Sequence, residues 1–115
     1  MIDISQNLNN QQTIDKPLFI KGIGLHTGVE VSMKLYPAEA DYGIQFIRKD
    51  LNENNIIKAL WSNVTNTKLS TTISNKSGVS VSTIEHLMSA LSGLHIDNIK
   101  IEIDGPEVLV HQFQF

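Results

Sequence analysis

Residues 82–94, S-T-I-E-H-L-M-S-A-L-S-G-L, decide how the rest of the chain is read. Ile84, Leu87, Met88 and Leu91 recur at i, i+3, i+4 and i+7, the spacing that puts one apolar stripe on an α-helix. Leu94 extends the stripe. Ser82 followed by Glu85 fits a capping box, in which a serine hydroxyl and a glutamate carboxylate satisfy free N–H groups at the helix start. Gly93 suits the position just past the end, where a left-handed conformation is common. The pattern predicts a helix over about residues 82–92, and the segments on either side read as strands and turns.

Downstream, Ile99, Ile101 and Ile103 alternate with Lys100, Glu102 and Asp104, the period of a strand, until Gly105-Pro106 breaks it. Residues 108–110 are apolar again. Upstream, Val29, Val31, Met33 and Leu35 share one face, with Glu30, Ser32, Lys34 and Tyr36 on the other. This half-buried strand is expected to turn at residues 37–42 and return as a hairpin over residues 43–48, G-I-Q-F-I-R. A short apolar strand is predicted at 17–21, stopping at Gly22, and another at 56–59. Residues 68–73 and 79–81 lean toward strand and flank the turn cluster S-N-K-S-G. Residues 22–28, G-I-G-L-H-T-G, place three glycines in seven positions, a turn where backbone approaches closely. Residues 1–16 are polar and Asn/Gln-rich and read as a flexible leader. Residues 17–110 read as one domain and 111–115 as an atypical tail. The expected fold is α+β, a mainly antiparallel sheet with the helix packed on one face. One helix covers such a sheet poorly, so part of that face is expected to stay bare, an association surface.

Composition narrows the function. The formal net charge of -3 leaves no basic footprint for nucleic acid. No stretch approaches the roughly 20 apolar residues of a membrane helix, and the amino terminus lacks the basic start and apolar run of a signal peptide, so a cytoplasmic chain is expected. With no cysteine, any metal must be held by histidine and carboxylate.

The pair Glu85-His86 is the strongest candidate for chemistry. It lies in the first turn of the predicted helix, and a carboxylate beside an imidazole suits a base next to a metal ligand. A capping box alone also accounts for Glu85, and the pattern by itself does not choose. The helical zinc motif His-Glu-x-x-His is absent, since Ala90 stands four residues after His86. His95 falls about 180° around an ideal helix from His86 and past its end. His111 lies in the tail. His26, inside the glycine-rich turn, suits either a ligand contact or a bond to neighbouring backbone.

Three blocks, in order, resemble one family. G-I-G-L-H-T-G at 22–28, S-T-I-E-H-L at 82–87 and I-D-N-I-K-I-E-I-D-G-P-E at 96–107 are similar to the signatures of the zinc-dependent UDP-3-O-acyl-N-acetylglucosamine deacetylases of lipid A synthesis. The resemblance runs from about Pro17 to Val110. It implies two similar α+β domains facing each other across the active site, and hydrolysis of the substrate's N-acetyl group to release acetate. It implies Glu85 as general base and His86 as a zinc ligand. Leu25 and His26 then belong to a substrate-binding turn, and Leu69 and Ser70 to a segment lining the site. Lys68 stands where the family often has an apolar residue.

The family's second zinc histidine and its aspartate come from a His-Lys-x-x-x-Asp segment of the second domain, and this sequence contains no such segment. The Asp-Gly-Ser and second helix that follow the family's Pro-Glu turn are also missing here. The expectation is a truncated first domain that is inactive alone and depends on a partner chain carrying the second domain. The alternative is a non-catalytic remnant or interaction module.

Overall fold

The computed structural model describes residues 11–68 and 70–110. Among the described residues, nine strands and one α-helix follow one another: β1 Leu18–Gly24, β2 Glu30–Pro37, β3 Ile44–Arg48, β4 Ile56–Lys58, β5 Val64–Asn66, β6 Thr72–Ser74, β7 Ser80–Ser82, α1 Glu85–Gly93, β8 Ile99–Ile103 and β9 Leu109–Val110. A 3-10 turn, Trp61–Asn63, leads into β5. The fold is α+β, and all strand pairs but one are antiparallel. Among the described residues, no helix is long and apolar enough to cross a membrane.

Six strands form the main sheet in the order β4-β3-β8-β2-β1-β9. The alternation in β2 and β8 becomes register: Met33 lies opposite Ile103 and Leu35 opposite Ile101 on the inner face. Lys34 lies opposite Glu102 on the outer face. That outer face is polar and aromatic. Phe19 and Tyr36 meet edge to face at 6.4 Å, and Lys100 Nζ stands 5.0 Å from the Tyr36 ring centre.

The expected hairpin between β2 and the returning strand does not form. β8 lies between them, and β3 pairs with β8 in parallel, Phe46 opposite Ile101. The cause is burial. Ile99, Ile101 and Ile103 are all 0% exposed, and the central position gives this isoleucine-rich strand a partner on each side. Asn98 helps to set the junction, accepting the Gly43 N–H on its side-chain oxygen at 2.8 Å.

A second sheet, in the order β5-β6-β7, shares the covering role with α1. Ile73 and Val81 of this sheet join Ile84, Leu87 and Leu91 in one core with Met33, Leu35 and Phe46. Fully burying a leucine stabilises a fold by about 1.5–3 kcal/mol, so the two helix leucines anchor α1 strongly. Arg48 links the layers. Its guanidinium grips Asp50 at 2.6 Å and donates to the Ser80 carbonyl at 3.0 Å. The bare face expected from a lone helix is therefore confined to the β1 side, where Leu18 and Ile20 stay half-buried. A hollow of about 320 Å³ opens there beside Ile14, Leu94 and Ile96.

The stretch read as a leader divides. Residues 1–10 lie outside the described residues. Residues 11–16 are anchored: Ile14 is buried, Thr13 Oγ1 accepts the Ala38 N–H, and the Gln12 N–H donates to Asp97. The tail at 111–115 lies outside the described residues.

Candidate functional site

The helix begins two residues later than the capping box requires. Its first residue is Glu85, the N-cap position is Ile84, and no side chain caps it. Ser82 instead ends β7. Its N–H donates to the Pro106 carbonyl at 2.8 Å and its carbonyl accepts the Val108 N–H at 3.0 Å. Thr83 then turns the chain out of the sheet with φ of 60°. The Ser82 hydroxyl also donates to the Pro106 carbonyl and not to the helix start, so the capping reading of Ser82 and Glu85 fails.

The Glu85 carboxylate is therefore not used by its own helix. Its Oε2 accepts the Thr71 N–H at 2.8 Å, drawing the segment between β5 and β6 toward the helix start. Ser70, half-buried, precedes that residue. Leu69 lies outside the described residues. Both Glu85 and His86 are exposed on the first turn of α1. Beside them Leu60, Trp61, Thr71, Ile84 and Met88 line an apolar cleft of about 250 Å³.

The glycine-rich turn reaches the same place by another carboxylate. β1 runs on to Gly24, beyond the stop expected at Gly22. The turn closes with the Gly28 N–H on the Gly24 carbonyl, and Gly28 takes φ of 69°. Leu25, 64% exposed, and His26 project from it. Beneath them lies Glu107, 2% exposed. Its Oε2 accepts the His26 N–H at 2.8 Å and the Thr83 hydroxyl at 2.9 Å, and its Oε1 accepts the Thr27 N–H at 2.9 Å. Burial alone would raise the Glu107 carboxyl. The His26 and Thr27 N–H groups, with the Thr83 and Thr27 hydroxyls, outweigh it and hold the group below its usual range. A Cβ on Gly24 would overlap Glu107 Oε1 and lie 2.6 Å from Thr27 Oγ1. That close approach is why the position takes glycine.

Glu85 and Glu107 thus gather two loops onto one helix start, and Leu25, His26, Ser70, Glu85 and His86 belong to those three linked segments. His95 stands apart, past the helix end with φ of 58°. His111 lies outside the described residues. Glu107, Thr83 and Thr71 carry the arrangement and were not singled out from sequence. The available signal was the glycine at position 24 together with the Pro-Glu turn, but nothing local joins residues about 80 apart.

No group of three histidine, cysteine, aspartate or glutamate side chains able to hold a metal exists among the described residues. A catalytic zinc takes three protein ligands. The exposed imidazole of His86 suits one such position, and the described residues alone do not make a complete set.

Residues 11–111 match the family model of UDP-3-O-acyl N-acetylglycosamine deacetylase. The UDP-3-O-acyl-N-acetylglucosamine deacetylase of Syntrophotalea carbinolica is 56% identical over 100 residues, covering 87% of this chain and 32% of the relative. Its namesake from Myxococcus xanthus is 48% identical over 99 residues, 86% of this chain and 31% of the relative. That from a Geobacter species is 55% identical over 98 residues, 85% of this chain and 32% of the relative. The chain spans about a third of the length of these curated relatives.

Proposed function

This chain belongs to the UDP-3-O-acyl N-acetylglycosamine deacetylase family, and on that premise we propose that it carries the first-domain half of an N-acetyl hydrolase site. The substrate is UDP-3-O-acyl-N-acetylglucosamine and the compartment is the cytoplasm. Glu85 is the general base. Its carboxylate takes a proton from the attacking water, whose oxygen bonds to the acetyl carbon. The carbon–nitrogen bond then breaks, the leaving nitrogen takes a proton, and acetate and the free amine result. His86 is one zinc ligand, and a second domain supplies the rest. Bound zinc would lower the pKa of water and polarise the amide carbonyl. Leu25, His26, Leu69 and Ser70 bind the substrate.

One observation carries this reading: an exposed carboxylate at a helix start, free of the cap and adjacent to an imidazole. The incomplete ligand set among the described residues favours a second reading, a non-catalytic interaction module. Zinc titration by calorimetry separates the two. The expected result is weak binding by this chain alone, and tight binding with deacetylation once a chain carrying a relative's second domain is added. Glu85→Gln should then abolish deacetylation while leaving zinc affinity in place. Absence of tight zinc binding in the mixture would overturn the enzyme reading.

A further inference from the structure

We propose that Glu107 is a positioning residue that holds the Leu25–His26 turn in register with the start of α1, acting through Thr83. The inference rests on the reading of that turn and helix start as parts of one site.

Three observations converge on this role. Glu107 is nearly fully buried, yet it accepts from two separate loops: Oε1 from the Thr27 N–H, and Oε2 from both the His26 N–H and the Thr83 hydroxyl. Burying an ionised carboxylate is costly, and a turn as exposed as Leu25 and His26 needs none to fold. Such a group earns its place where geometry must be fixed. Thr83 supplies the second observation. Four non-glycine residues among those described have positive φ, namely Asp41, Asn54, Thr83 and His95. Only Thr83 is β-branched, the side-chain type for which this conformation is most strained. The strain is held from both sides: Ser82 is bonded to Pro106 and Val108, and the Thr83 hydroxyl to Glu107. Third, Thr83 stands two residues before Glu85, so its backbone angle sets where α1 starts and which way its first turn faces. A displacement of the turn must strain Glu107, then Thr83, then the helix start.

The test measures amide chemical shifts and hydrogen exchange at neutral pH on the full chain, without metal or substrate. Thr83→Val removes the hydroxyl and keeps the shape; Thr83→Ser keeps the hydroxyl. With Thr83→Val, the His26 and Thr27 amides should exchange about tenfold faster, the local opening that follows a loosened anchor. Thr83→Ser should restore the slow exchange. Glu107→Gln, whose amide offers one acceptor oxygen instead of two, should shift the amides of residues 84–88 as well as those of the turn. The proposal is overturned if Thr83→Val leaves the turn amides at their original rates, or if Glu107→Gln perturbs the turn alone. Should Glu107→Gln fail to fold, the Thr83 pair decides by itself. Failure of zinc binding or deacetylation leaves these readouts untouched, so the two readings can fail separately.

Discussion

The two carboxylates that frame the helix start live in opposite surroundings. Glu107 is 2% exposed and accepts three hydrogen bonds from two loops. Glu85 is exposed and accepts one, from the Thr71 N–H. A buried carboxylate with both oxygens bonded has little freedom left to take a proton from a passing water. An exposed one with a single bond keeps an oxygen available. The contrast separates the part of the molecule that holds geometry from the part with capacity for chemistry, although both are glutamates framing the same helix start.

The sharpest way to break this contrast is to replace each in turn. Glu107→Ala removes the acceptor of three donors and should destabilise the fold by about 2–4 kcal/mol. Its effect should show as a lower urea midpoint. The same loss should appear in acid. A carboxyl held below its usual range contributes stability that is present above its unfolded pKa of about 4.3. That stability disappears as pH falls through the lowered folded value. Thermal melts from neutral to acid pH should therefore fall more steeply for the parent chain than for Glu107→Ala. Equal slopes would mean that folding does not lower the pKa of Glu107.

Gly24→Ala comes next. The new methyl would overlap Glu107 Oε1, and such overpacking costs about 1–3 kcal/mol. The two substitutions should not add, because removing the carboxylate opens the space that the methyl needs. A double-mutant cycle reads that coupling directly. The smallest effect belongs to Glu85→Gln. Its amide oxygen can still accept from Thr71, so the stability change should stay within about 0.5 kcal/mol. A loss as large as that at position 107 would erase the distinction between the two sites.

The same division explains what could be read from the sequence. The strands β2 and β8 and the apolar stripe of α1 were legible, because their periods are local and repeat several times. The glycine-rich turn was legible as a turn. What misled was context. Ser82 and Glu85 have the spacing of a capping box, yet Ser82 is held in the sheet by Pro106 and Val108, more than 20 residues away. The apparent hairpin of β2 and β3 failed because β8 competes for the centre of the sheet. For the site, Glu85 and His86 stood out through resemblance, whereas Glu107 shows its role only when the chain folds back on His26. No local pattern marks a contact spanning that distance.

The parallel β3–β8 pair has a consequence for the order in which the molecule assembles. A ribosome delivers β2 and β3 long before β8 emerges, and neither can take its second sheet neighbour until it does. In the interval two fragments wait with unpaired edges: β1 with β2, and β3 with β4. Closing the sheet then means threading one isoleucine-rich strand between them, a long-range step that slows folding. During that window the exposed edges are targets for chaperones, or for another nascent copy of the same chain.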